Sequence, residues 1–430
     1  MRRTAIVFGL SLFGFAAALL LIGAPVAHAS ATVGSGTPQS CTEAAFDTAL
    51  QQSSGIVYFN CGSAPYTLTL HEKVLSYFVA FYGGGLITLS GNDLNRVFSV
   101  TAGGGLFLHD LRVTNGFSSD PAGGAAINSA GDLSLEHSQV VHNTCTNLCT
   151  GAAILSTGVM AIENSTISEN QTDVGGALVI AGAGGGEVLS STISLNHSLT
   201  AFLSGGAGLA HLGTGGATLR DSSVISNSSA SDAGGIYVGS GSTLVIVNST
   251  VSGNTADGNG GGLSNDGKLW LYNATVTNNT ADNSLTGSGA GGGIYNTNDF
   301  QFQDTILAGN TESAFFMGFW ISHYGDCSGT LTNIGNNLMQ NYNTSNCHFN
   351  GGTPTLAPPD LGPLQDNGGP TLTHLPNASS PVIDAGNPAG CIDQASEIIT
   401  RDQRGFLRIG ICDIGAVERA FQLVLPLVRR

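Results

Sequence analysis

The stretch Gly234–Asp257, "GGIYVGSGSTLVIVNSTVSGNTAD", runs from a glycine pair through two short alternating apolar segments to Asn-Ser-Thr and then Gly-Asn. The same order recurs along the chain. "GGAAINSAGDLSLEHSQVVHN" starts at Gly123, "GAAILSTGVMAIENSTISEN" at Gly151, "GGALVIAGAGGGEVLSSTISLN" at Gly175 and "GGAGLAHLGTGGATLRDSSVISN" at Gly205. After the opening stretch come "GGLSNDGKLWLYNATVTNN" from Gly261 and "GGIYNTNDFQFQDTILAGN" from Gly292. Counting the second copy from Thr150, the starts are spaced by 27, 25, 30, 29, 27 and 31 residues. A unit that returns seven times at nearly constant length marks a repeat protein.

Each unit carries apolar stretches of period two, such as Leu244, Ile246 and, after a turn, Val251, all too short for helices. A unit of three short strands buries its apolar side only against the next unit, which predicts a coiled stack of parallel strands. The unequal intervals place insertions at one corner. Asn164, Asn248 and Asn273 sit between strand segments, where a tight corner needs left-handed φ and Asn tolerates it. Stacked about 4.8 Å apart, these side chains are expected to form a hydrogen-bonded ladder. They also match the glycosylation sequon, as do Asn170, Asn196, Asn227 and Asn278; recurrence in phase with the coil favours the ladder. The glycine pair marks a corner or a backbone approached too closely for a Cβ.

The chain has 430 residues, 41% of them hydrophobic, 10% charged and 62 of them Gly, which disfavours helices and points to an all-β fold with many turns. Residues 1–29 read as an export signal: Arg2 and Arg3, an apolar run from Ala5 to Gly23, and Ala27-His28-Ala29 at the cleavage site. A retained membrane anchor is the alternative. Removing those residues takes two positive charges from the formal −16, leaving −16 − 2 = −18, a surface that repels nucleic acid. The expected location is secreted or cell-surface, with no membrane-spanning helix after signal removal. Eight cysteines in an exported chain suggest local disulfides: Cys41 with Cys61, Cys145 with Cys149, Cys327 with Cys347, Cys391 with Cys412. A zinc site at His142, Cys145 and Cys149 is disfavoured because no second Cys/His pair follows at finger-like spacing.

The units resemble the right-handed parallel β-helix superfamily that contains pectate lyases, and more closely the Gly-Gly-Ile…Asn repeats of polymorphic outer membrane proteins. "FYGGGLITLSGNDLNRVFSVTAGGGLFLHDLRVTNG", Phe81 to Gly116, resembles their entry coils. "DCSGT…NIGNNL…C" (Asp326–Cys347), "LGPLQDNGGPTLTHLPNASSPVIDAG" (Leu361–Gly386), "DQRGFLR" (Asp402–Arg408) and "CDIGAVE" (Cys412–Glu418) resemble the choice-of-anchor Q domain. The implied fold is an all-β, right-handed parallel β-helix solenoid; the second resemblance implies display on a cell surface. The expected organisation is a signal at 1–29, a cap and first coils at 30–80, repeats at 81–310, final coils with the anchor-like region at 311–418, and a tail at 419–430. The tail segment "FQLVLPLVRR", Phe421–Arg430, is too short to cross a membrane and is either an attachment tag or a capping strand.

Lyases of this superfamily use an Arg or Lys base with Ca²⁺ held by Asp, and the related hydrolases use converging carboxylates, in both cases on an outer sheet face. Within the seven repeats the basic residues are Arg220, expected to pair with Asp221, and Lys268. Asp232, Asp257, Asp266, Asp282, Asp299 and Asp304 read as solvated turn residues. The Gly-rich run Gly287–Gly292 is followed by no helix pattern, which argues against a dinucleotide site. No catalytic residue, metal or cofactor is expected. Tyr237 and Tyr295, each after Gly-Gly-Ile, turn outward on one sheet about 10 Å apart and are the candidate glycan-binding residues. Phe315–Trp320, "FFMGFW", reads as a cap over the end of the coil. The expected function is a structural or adhesive, non-enzymatic surface rod that binds extracellular polysaccharide or envelope components; the alternative is a polysaccharide lyase or glycoside hydrolase on the same face.

Overall fold

The computed structural model describes residues 30–419 except 201–204, 286–288, 317–318 and 342–345, with the backbone alone at 314–316 and 319–324. The expected export signal at 1–29 and residues 420–430 of the expected tail therefore lie outside the described residues. So do the side chains of "FFMGFW", whose backbone belongs to an antiparallel hairpin, Thr311–Phe316 with Phe319–Tyr324.

The repeats stack into a parallel β-solenoid of about 11 turns. The coil that starts at Gly234 shows the plan. It contributes Ile236–Val238 to a first sheet, Thr243–Val247 to a second, Thr250–Ser252 to a third and Thr255–Ala256 to a fourth. Four strand segments per coil replace the expected three, because Gly253 turns the chain once more before the glycine pair. Pairing is parallel and in register from coil to coil, so Ile236 lies beside Leu263, Leu244 beside Leu269, and Val251 beside Val276. Alternation along each strand sends these residues inward, and all six are buried. No coil could bury this surface alone, so the stacking is what removes it from water.

Two features make the close stacking possible. A Cβ on Gly235 would lie 2.6 Å from the carbonyl oxygen of Gly262, and one on Gly262 would lie 2.7 Å from that of Gly293, so the glycine pair lets neighbouring coils approach. Left-handed corners recur at Asn164, Asn248 and Asn273, with φ of 46°, 47° and 52°, and at the matching positions Asp110, His137, Ser190, Asp221 and Asp304. These three asparagines do not stack into a ladder, however. The residue in the left-handed corner faces outward and its successor faces inward. The ladder beside this corner is therefore made of serines: the backbone N–H of Ser138 donates to Ser165 Oγ, Ser165 to Ser191, Ser191 to Ser222 and Ser222 to Ser249, at 3.0–3.1 Å.

An asparagine ladder does run through the core, at the next corner. Asn143, Asn170, Asn196, Asn227, Asn254, Asn279 and Asn310 are almost wholly buried. Each donates both its backbone N–H and its Nδ2 to the Oδ1 of the following coil's asparagine, at 2.9–3.1 Å. Asp326 closes the series, accepting from Asn310 at 3.0 and 2.9 Å. Burial of Asn170, Asn196 and Asn227 removes them as glycosylation acceptors.

At the top, helix α1 (Glu43–Gln52) lays Phe46 on the core, stacked 5.3 Å from Phe81. Thr42 caps it, accepting from Ala45 N–H. Lys73 pairs with Glu43 and Asp47, both at 2.6 Å. The four disulfides join Cys41–Cys61, Cys145–Cys149, Cys327–Cys347 and Cys391–Cys412, as the spacing suggested. Cys145 and Cys149 are thereby unavailable as zinc ligands.

Candidate functional site

The strands of the second sheet present an outward row, whose members from His109 onward lie just before a left-handed corner. In register order it reads Tyr58, Tyr82, His109, Glu136, Glu163, Leu189, Arg220, Val247, Tyr272, Gln303. A second outward row two residues earlier includes Phe107, Ala161, Glu187, Thr218, Val245 and Trp270.

The lower part of this face is covered by the carboxy-terminal segment. Val245, Val247, Trp270 and Tyr272 pack with Ile399 and the Cys391–Cys412 disulfide. Arg408, buried, reaches the corner of the solenoid: its Nη2 donates to Asn248 Oδ1 at 2.9 Å, and Nη1 pairs with Glu418 at 3.3 Å. Gln403 joins the same seam, donating to Ser223 Oγ at 2.9 Å and accepting from Thr250 Oγ1 at 2.6 Å. The motifs "DQRGFLR" and "CDIGAVE" thus supply the clasp between this segment and the coils. Arg220 pairs with Asp393 of the segment at 3.2 Å rather than with Asp221. Asp221 is pushed up to about 6 by burial, against the pull of Asn248, Arg220 and Arg408. Asp282 and Asp304, expected in solvent, are buried as well; Asp304 accepts the Asn387 N–H at 2.9 Å.

Above Arg220, among the described residues, no hydrogen bond or ion pair joins the C-terminal segment to this face, and the face changes character. Tyr58 and Tyr82 stack at 5.3 Å, Phe107 meets Tyr82 edge-on at 5.8 Å, and His109 lies 5.4 Å from Tyr82. Tyr58 remains 44% exposed, so the stack is reachable from solvent. Glu136, Glu163 and Glu187 follow on successive coils, each half-buried. Burial chiefly, with Glu163 beside it, raises the Glu187 carboxyl, and Arg220 pulls it back. Burial, then Tyr58 and Glu136, raise the Tyr82 hydroxyl, which ties the aromatic and acidic parts into one patch.

Tyr237 and Tyr295 occupy one register column of the first sheet with Ser264 between them. The Tyr237 hydroxyl donates to Asp266 Oδ2 at 2.8 Å, and burial together with that carboxylate pushes its pKa well above the usual phenol value. A cleft of about 180 Å³ beside Asn278, Pro359 and His374 is smaller than an ordinary ligand pocket.

Tyr58, Tyr82, His109 and the three glutamates escape the repeat alignment for two reasons. The tyrosines precede the first glycine pair, and the glutamates read as scattered charges until the corner is located. The signal that finds them is local: in "EHS", "ENS", "RDS" and "VNS" the first residue is always the outward one.

The fold is that of pectate lyases. The crystal structure of pectate lyase Pel9A superposes with a TM-score of 0.50 at 12% sequence identity, covering 92% of this chain and 98% of that one. No protein-family model matches the chain. No curated protein matches its sequence.

Proposed function

We propose that the protein is an extracellular glycan-binding solenoid that holds a polysaccharide along the open upper part of the second sheet and does not cleave it. The observation that carries this reading is the aromatic stack Tyr58–Tyr82–Phe107, open to solvent at Tyr58, with Tyr58 and Tyr82 in line with His109, Glu136 and Glu163. Aromatic rings offer a negatively polarised face to sugar C–H groups, and the carboxylates and imidazole accept and donate hydrogen bonds to hydroxyls. With three carboxylates on the face and a strongly acidic chain, a neutral polysaccharide is favoured over a polyanion. Four disulfides favour an oxidising, extracellular setting. The resemblance to polymorphic outer membrane protein repeats and to the choice-of-anchor Q domain favours display on a cell surface.

Lyase chemistry is disfavoured because Arg220, the basic residue of the outward row, is engaged by Asp393, and Lys268 lies two coils further toward the covered end of the sheet. Glycoside hydrolysis is the second reading, favoured by one observation: Glu187, raised by burial next to Glu163, resembles a general acid beside a carboxylate base. Incubation with a panel of neutral polysaccharides separates the two. Retention on the polymer with no new reducing ends or unsaturated products is expected. Reducing ends that appear with the wild type and vanish with Glu187→Gln would replace the binding reading with the hydrolytic one.

A further inference from the structure

At the junction of the aromatic and acidic halves of this face, three side chains from two adjacent coils converge. His109 precedes the left-handed corner at Asp110 within the strand Gly105–Thr114, Glu136 lies beside it one coil later, and His137 occupies the left-handed corner that follows, with φ of 48°. His109 Nε2 is 3.8 Å from Glu136 Oε2, and His137 Nδ1 is 3.7 Å from Glu136 Oε1. Their donor atoms all lie within 4.8 Å of one another. These separations are too long for hydrogen bonds. They approach the roughly 3.3 Å edge of a tetrahedron whose centre is about 2.0–2.1 Å from each donor.

A second observation points the same way. His109 Nδ1 is held 3.0 Å from Asp110 Oδ2, and Asp110 sits in its own left-handed corner at φ 54°. That contact fixes the imidazole with Nε2 turned toward Glu136, the carboxylate–histidine arrangement that orients a metal-bound ring. The other imidazole–carboxylate contact of this flank, His142 with Glu169 at 2.8 Å, is by contrast an ordinary hydrogen-bonded pair.

We infer that His109, Glu136 and His137 form a binding site for a divalent transition-metal ion of the zinc type, with Asp110 as the residue that orients His109. Two imidazoles and one carboxylate suit zinc or its neighbours; a single oxygen-donor side chain is too few for calcium. Three protein ligands leave a fourth position facing solvent, next to the Tyr82 and Phe107 rings. An ion there would present a coordination position to a hydroxyl of a bound ligand. The inference concerns the metal alone and stands whether or not the face binds glycan.

Titration of the full chain with Zn²⁺ in a calorimeter, after chelator treatment, tests it. One equivalent is expected to bind at this site. His109→Gln and His137→Asn are each expected to weaken that binding at least about tenfold, Asp110→Asn to weaken it by a smaller factor, and His142→Gln to leave it unchanged. Asparagine already occupies the corner matching His137 at Asn164 and Asn248, so His137→Asn preserves the fold, which circular dichroism checks. Absence of Zn²⁺ binding at micromolar concentration, or equal binding by wild type and both histidine variants, would overturn the site.

Discussion

At the scale of single residues, the solenoid depends on two internal ladders that differ in what their loss would leave behind. Asn227→Ala removes the Oδ1 that accepts the backbone N–H and one amide hydrogen of Asn196, at 3.1 and 2.9 Å; the N–H is left unpaired in the core while Nδ2 keeps its 3.1 Å bond to the Ile167 carbonyl. One orphaned buried donor and one half-satisfied amide imply a loss of about 1 to 3 kcal/mol, read as a lowered midpoint in urea unfolding. Asn164→Ala, at an exposed corner with φ 46°, is expected to cost only about 1 kcal/mol of left-handed strain. A second residue-scale prediction concerns Asp221, whose carboxyl is raised to about 6 by burial. A raised acid stabilises the fold while it holds its proton, and that contribution fades as pH rises from about 4 through 6. Asp221→Asn should therefore stabilise relative to wild type at pH 7.5 and lose that advantage at pH 4.5, a difference that cancels the titration of every other group. Equal effects at both pH values would show that the corner carboxylate is not buried as described. The left-handed corners at Asn164, Asn248 and Asn273 were legible from residue type and spacing. The serine ladder beside them was not, because sequence period alone gives the corner's phase but not which of two consecutive residues faces inward.

At the scale of elements, the repeats were readable because apolar alternation, the glycine pair and the corner asparagine all return at one period. The fourth strand, two residues long, carries no periodicity of its own and emerges only from pairing between coils. The carboxy-terminal segment carries distinct sequence motifs, but its docking side depends on contacts more than 100 residues apart in sequence, which no local pattern encodes. Arg408 is the centre of that docking. Its side chain is only 3% exposed, with Glu418 at 3.3 Å and Asn248 at 2.9 Å, and burial pulls its pKa down while Glu418, Asp402 and Asp413 oppose that shift. Arg408→Met leaves Glu418 without its cation, a change that costs about 3–5 kcal/mol in buried pairs. Hydrogen exchange should then rise in residues 361–419 while the core coils remain protected. Uniform exchange across the whole chain would instead mean that segment and solenoid unfold together.

At the scale of the whole molecule, the solenoid has one long outer face divided in two. The lower part is sealed by the carboxy-terminal clasp and the upper part carries aromatic, imidazole and carboxylate side chains in two adjacent rows. Identical strand spacing turns a column of unrelated residues into a regular array, the feature on which the proposed polysaccharide binding relies. Fold by itself assigns no chemistry here, so the claim stands on the site. The most direct test is the affinity for a neutral oligosaccharide, selected on a glycan array, measured by calorimetry for wild type, Tyr82→Ala and Tyr237→Ala. The account predicts a loss of at least about tenfold for Tyr82→Ala and a change within about twofold for Tyr237→Ala. Undiminished binding by Tyr82→Ala would contradict it.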